Sequence, residues 1–232
     1  PADKRGLEGL ALGLFEEGTT TMSSREIAET SERLGANISL GGGADRSSFT
    51  LSALSANLVP SLELLSDIVR NPAFAQSEID RVRAQRITGV EQELRTPSAI
   101  AARTISPLIY GAESPYAGPD TGTVASLSAI TREDITGFKD RWIRPDNGAV
   151  FVVSDRPLAE IEAALNGVLG DWQAPAVAKG TKSFDAAPAT PAESRIVLVN
   201  RPNSPQSYIY GGQLTSVDPR GETYVDFLNA NN

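Results

Sequence analysis

The sequence predicts an α+β fold, a mixed or antiparallel sheet with helices packed on one face. Three observations predict it. Several stretches place apolar residues at helical spacing and close at glycine or proline. Shorter stretches alternate apolar with polar residues, or run apolar for four residues, as half-buried and buried strands do. The composition is that of a folded globular protein, 40% apolar and 22% charged. Its 232 residues allow one large domain, or one domain and part of another.

The first element is GLEGLALGLFEEGT, Gly6 to Thr19. Leu7, Leu10, Ala11, Leu14 and Phe15 share one helix face, and Gly18 is expected to stop the helix. Ser23 and Ser24 offer caps for a second helix, Arg25 to Leu34, closed by Gly35. Ala36 to Leu40 and Ser48 to Ser55 read as strands. In the second, Phe49, Leu51 and Ala53 alternate with Ser48, Thr50 and Ser52. The glycines at 41, 42 and 43 lack the Lys-Ser/Thr that follows in a phosphate loop, so they read as a hairpin connection.

Leu58, Leu62, Leu65 and Val69 mark a helix that Asn71-Pro72 ends. A long helix follows from Ser77 to about Leu94, with Ile79, Val82, Val90 and Leu94 apolar, and Pro97 breaks it. Ser98 to Tyr110 is a further helix, and residues 113–130 read as a loop rich in Pro, Gly and Ser. Thr131, with Asp134 three residues on, caps a helix whose Ile135, Phe138 and Trp142 face inward. Asn147-Gly148 turns the chain into a strand, Ala149 to Val153, and Pro157 opens a helix to about Leu169. Gln173 to Ser194 shows no apolar periodicity and reads as a linker. Arg195 to Asn200 and Ser207 to Gln213 are then expected strands, and Asp218-Pro219 introduces a last helix.

The first helix resembles the active-site helix of the insulinase/pitrilysin family of zinc metallopeptidases, the inverzincins. That helix reads roughly Gly-x-x-His-x-x-Glu-His-x-x-Phe-x-Gly-Thr. Laid over it without a gap, Gly6, Gly18 and Thr19 match, and Phe15 stands beside the phenylalanine position. The two zinc-binding histidines fall on Gly9 and Gly13, and the catalytic glutamate falls on Leu12. The segment ESPYAGPDTGTVASLSAITREDITGFKDRWIRPDN is similar to one that in the family begins His-Pro-Tyr and closes Tyr-x-Pro-x-Asn. Here Ser114 stands for the histidine, while Pro115, Tyr116, Pro145 and Asn147 keep the pattern. The resemblance runs over about residues 3 to 172. The family's third zinc ligand, a glutamate, would fall near Glu91 and Glu93, which read here as surface carboxylates of the long helix.

The composition agrees with this loss of the zinc motif. The chain has no histidine and no cysteine. Zinc sites draw on imidazole or thiolate in nearly all arrangements, so neither zinc nor another cofactor is expected in this chain. Ser-His and Cys-His nucleophile pairs are excluded on the same ground. A hydrolase built on carboxylates alone finds little support in Glu16-Glu17, since helix neighbours point about 100° apart.

Family members are built as two halves, or two subunits, that close over the substrate. One half usually carries the zinc and the glutamate. The other often contributes an Arg-x6-Tyr pair at the start of its second domain, and Arg201 and Tyr208 have that spacing and position. Such donors stabilise charge that builds on a peptide carbonyl oxygen under attack. Tyr210, two residues on, is the alternative tyrosine. The expected organisation is an inactive insulinase-like domain over 1–172 without its opening strands, a linker over 173–194, and the truncated start of a second such domain over 195–232.

Two functions are therefore expected. The first is a non-catalytic half or subunit of a zinc metallopeptidase that helps enclose a peptide, with zinc in the partner half. The second is a non-enzymatic scaffold or protein-binding module of the same fold. The net charge of −8 and the absence of basic runs flanked by aromatics argue against a nucleic-acid partner. No apolar run approaches the roughly 20 residues that span a bilayer. No signal peptide is visible in PADKRG, and both ends read as truncated. A cysteine-free chain fits a bacterial cytoplasm or periplasm, with the periplasm favoured.

Overall fold

A computed structural model of the chain describes residues 2–112, 114–182, 195–214, 221 and 223–230. The first helix, α1 (Leu7–Leu12), sits at its centre and packs against β1 (Asn37–Gly42), α4 (Gln76–Glu93) and α7 (Arg132–Trp142). Its start is a tight crossing of two backbones. Gly6 has φ 87° and Gly122 has φ 80°, and a Cβ on Gly122 would stand 2.6 Å from the Arg5 carbonyl oxygen. Both positions need glycine, for the positive φ and for the space.

The helix is shorter than the sequence predicts. After the Gly13 amide bonds to the Gly9 carbonyl at 3.1 Å, the ladder tightens to i→i−3 bonds: Leu14 to Ala11, Phe15 to Leu12 and Glu17 to Leu14. Two glycines in one short segment lower its helix propensity, and a tighter last turn is the usual outcome. Gly18 does not stop the helix. It pairs in an isolated bridge with Ser23, and its carbonyl accepts from the Ala73 amide at 2.9 Å.

The expected apolar face is buried all the same, except for Leu7, which is only partly covered. Leu10, Ala11, Leu14 and Phe15 are almost wholly inaccessible. Phe15 meets Phe49 and Phe74 edge-on, with ring centroids 5.1 and 5.4 Å away. Phe74 has φ 43°, unusual for a bulky residue, and Arg132 donates to its carbonyl at 2.9 Å.

The following elements agree with their sequence signals. α2 (Ser24–Leu34) begins with a full capping box between Ser23 and Glu26 and ends at Gly35, φ 61°. β1 and β2 (Ser47–Ser52) form an antiparallel hairpin in which Leu40 opposes Phe49 and Ile38 opposes Leu51. Residues 41–43 therefore belong to the hairpin. α3 (Leu58–Arg70) is present, but its most buried face is Ser61, Leu64 and Ile68, with Val69. The expected Leu58, Leu62 and Leu65 lie at its partly covered margin. In α4, Ile79, Val82 and Val90 are buried, whereas Leu94 falls just past the helix and is half exposed.

α5 (Pro97–Tyr110) opens with proline at its first position. The expected loop that follows contains a short helix, α6 (Val124–Ala129), started by a capping box between Thr123 and Ser126. α7 carries the predicted Thr131/Asp134 box, and α8 (Leu158–Leu169) follows Pro157. The last helix, α9, spans Thr223–Ala230, while Asp218-Pro219 lies outside the described residues.

The chain is α+β, rich in helix, with a small antiparallel sheet. Three expected strands are not part of it. Residues 149–153, 195–200 and 207–213 have no strand pairing among the described residues. Phe151 and Ile196 in these segments are 93% and 98% exposed. Strand composition alone forms no ladder; backbone groups must find a neighbouring strand.

Part of the expected linker is tied down. Arg144, 7% exposed, grips Asp146 and donates to the carbonyls of Pro175 (3.2 Å) and Val177 (2.7 Å). Linker residues 183–194 lie outside the described residues.

Candidate functional site

Two cavities hold the residues that the sequence singles out. The first, about 720 Å³, lies against α1 and is lined by Gly9, Leu12 and Gly13 together with Glu8, Glu16 and Arg86. Gly9 and Gly13 are four residues apart, so they open on the same side of the helix. Arg86 of α4 fills the space they leave. A Cβ on Gly9 would stand 3.0 Å from one terminal guanidinium nitrogen, and a Cβ on Gly13 would stand 3.0 Å from the other. Leu12, between them, is buried, and a Cβ on Gly42 of β1 would meet it at 2.6 Å.

Two of the cations around this cavity have acidic partners and a third is held by a backbone carbonyl. Lys4 pairs with Asp134 at 2.7 Å, and Arg5 donates to the Ala112 carbonyl at 2.6 Å. Lys182 faces Asp45 at 3.4 Å. The Glu8 carboxylate accepts from the Ser47 hydroxyl at 2.6 Å; burial nevertheless pushes its pKa above the usual carboxylate range, outweighing the bonds from Ser47 and Gly43. Glu16 is raised in the same way by burial, helped by the negative charge of Glu17. Burial also lowers the pKa of Arg86, which as a guanidinium still carries its charge at neutral pH.

These residues do not fit zinc. Two glycines and a leucine supply no donor atoms at the family's ligand and base positions, and a guanidinium occupies the space between them and α4. Among the described residues no cluster of three or more metal-binding side chains occurs. At the expected third-ligand position, Glu91 is exposed on α4, and Glu93 pairs with Arg103 at 2.7 Å. Arg103 also bonds to the Gly122 carbonyl and the Thr121 hydroxyl.

The second cavity, about 810 Å³, lies between α5 and residues 195–214. Arg201 and Tyr208 both line it, with Tyr210 and apolar residues of α5 such as Ile105 and Ile109. Arg201 is exposed, and its carbonyl accepts from the Ser204 amide at 3.3 Å in the turn that brings Tyr208 back. Tyr208 and Tyr210 stack with centroids 6.3 Å apart, and each is about half exposed. The two rings thus lie on one side of the segment, although it is not paired as a strand among the described residues.

Arg86 was not legible as a site residue. In sequence it is one of several arginines on a polar helix. The only available signal was the pair of glycines at 9 and 13, which must be filled from elsewhere.

Two models of one family match the chain. Insulinase (Peptidase family M16) matches residues 3–108, and Peptidase M16 inactive domain matches residues 129–220. An uncharacterized zinc protease of Rickettsia felis is 23% identical over 146 residues, which are 63% of this chain and 35% of that protein. The chain thus spans about a third of that relative's length. The crystal structure of a peptidase M16 inactive domain from Pseudomonas fluorescens superposes with TM-score 0.74 at 25% identity, covering 81% of this chain and 45% of that one. The periplasmic protease PqqL from Escherichia coli shares the fold, with TM-score 0.69 at 17% identity over 81% of this chain and 21% of that one. The order of helices, the hairpin and the two family models agree, and the chain belongs to the insulinase family of peptidases, M16.

Proposed function

We propose that this chain is part of a non-catalytic half or subunit of a zinc metallopeptidase, and that it helps enclose a peptide while the zinc and the general base lie in a partner half. One observation carries this reading: the helix that holds the metal ligands in the family is kept as a packing element, while Gly9, Leu12 and Gly13 stand at the chemical positions and Arg86 fills the gap. The inactive-domain model and the Pseudomonas structure support it. A periplasmic setting is proposed from the likeness to PqqL. The domain organisation 1–172, 173–194 and 195–232 is part of the same proposal.

In this reading Arg201 and Tyr208 serve as donors to the peptide carbonyl oxygen on which negative charge develops. Their shared cavity supports it, since both side chains are accessible and only a short turn separates them. A guanidinium fork and a phenol hydroxyl are suited to that task.

The test is turnover of a peptide by the assembled two-half enzyme carrying Arg201→Ala or Tyr208→Phe. Loss of one oxyanion donor costs about 10²-fold or more in kcat. Unchanged turnover would remove the catalytic role. If the native assembly also lacks a partner with His-x-x-Glu-His, the scaffold reading replaces it.

A further inference from the structure

The cavity over α1 holds a cation, Arg86, that no group among the described residues pairs with. Arg86 has no hydrogen bond or ion pair among the described residues, and its Nε is buried without a partner. Two other arginines, Arg83 and Arg156, also have a buried, unbonded Nε, but their terminal nitrogens are paired with Asp80 and Glu160. Arg86 differs in that its whole guanidinium is unpaired among the described residues. Its terminal nitrogens lie against Gly9 and Gly13, in the wall of a cavity of about 720 Å³. A partly buried charge without a partner is costly, and the cost falls when an anion reaches it.

We propose that this cavity binds a peptide through a carboxylate received by Arg86. A carboxylate matches the guanidinium fork in a two-point hydrogen bond. The rest of the lining selects against more highly charged anions. Glu8, Glu16 and Asp120 face the same space, so a phosphate would meet three carboxyl groups while gaining one free cation. The absence of side chains at positions 9 and 13 is what lets the guanidinium lie against α1 in the cavity wall. Leu12, Leu40 and Trp142 supply an apolar wall for the residue next to the carboxylate. The site rests on the peptide-enclosing reading above but not on Arg201 or Tyr208, which line the other cavity.

The carboxylate has two sources, a peptide C-terminus or an Asp/Glu side chain, and three probes separate them. Acetyl-Ala-Leu-Ala-Gln with a free C-terminus carries only the first, acetyl-Ala-Leu-Ala-Glu-amide only the second, and acetyl-Ala-Leu-Ala-Gln-amide neither. Binding to the 232-residue chain is measured by calorimetry, with Arg86→Gln and Arg86→Lys beside the native protein. At least one carboxylate peptide should bind about tenfold or more tighter than the neutral one, the scale of a charge-assisted hydrogen bond. Arg86→Gln should erase that difference and Arg86→Lys should keep part of it, with both variants melting within a few degrees of the native chain. Equal binding of all three peptides, or a preference that survives Arg86→Gln, overturns the carboxylate site alone. No binding of any peptide overturns it together with the peptide-enclosing reading.

Discussion

Replacing Phe15 by alanine tests whether the first helix is the structural hub. The ring is wholly buried and contacts Phe49 and Phe74 edge-on. Removing it forfeits two aromatic pairs, each worth about 0.5–1.5 kcal/mol beyond burial, and leaves a cavity the size of a ring. Phe→Ala in a core costs about 3–5 kcal/mol. Phe49 lies on the hairpin and is itself only partly buried, so some collapse is available, which places the expected loss at about 3–4 kcal/mol. Domains of 150–250 residues lose about 2–4 °C in Tm per kcal/mol, so the midpoint should fall by roughly 6–16 °C. The assay is urea unfolding followed by tryptophan fluorescence and circular dichroism, with Leu94→Ala at the half-exposed position as a near-neutral control. A loss below about 1 kcal/mol for Phe15→Ala, with an unchanged m-value, would refute the placement of this ring at the centre of the core.

Two further predictions concern the same region. Gly122→Ala places a Cβ 2.6 Å from the Arg5 carbonyl oxygen at φ 80°, so it should destabilise by about 2 kcal/mol or more and loosen the start of α1; a melting temperature equal to that of the native chain would show that the crossing yields cheaply. Burial raises the pKa of Asp134, but the bonds from Lys4 and Thr131 outweigh it and hold the group below its ordinary value of 3.8. A lowered carboxylate contributes stability that is fully present above the unfolded pKa and is lost as pH falls through the folded one. Asp134→Asn should therefore be less stable than the native chain at pH 6, by about 1 kcal/mol or less for a partly exposed pair, and the gap in urea midpoint should close below pH of about 4. A gap that persists at pH 2.5 would mean that charge is not its source.

Local chemistry made much of the fold legible. The boxes Ser23/Glu26 and Thr131/Asp134, the αL glycine at 35 and the prolines at 72, 97 and 157 act within a few residues of themselves, so each element end they mark is found where expected. The apolar stripe of α1 was likewise readable, because burial of Leu10, Leu14 and Phe15 follows from spacing alone. The α3 stripe was not. Two of its innermost positions are serines, Ser61 and Ser66, which no apolar pattern marks, and the packing of α2 and α8 beside it decides that Leu64 and Ile68 go inside and Leu62 does not. The segments 149–153 and 195–200 failed for a related reason, since pairing depends on a neighbour that no local pattern specifies.

By itself the sequence determined what this chain lacks. With no histidine and no cysteine, it supplies neither imidazole nor thiolate to a metal, whatever its shape. Only the tertiary structure decided what stands there instead. Arg86 lies more than seventy residues along the chain from Gly9 and Gly13, on a helix whose sequence gives no sign of a cavity beside it. The packing of α4 across α1 brings that guanidinium against the two bare backbone positions, because a side chain absent from one helix leaves room that a long one on its neighbour can enter.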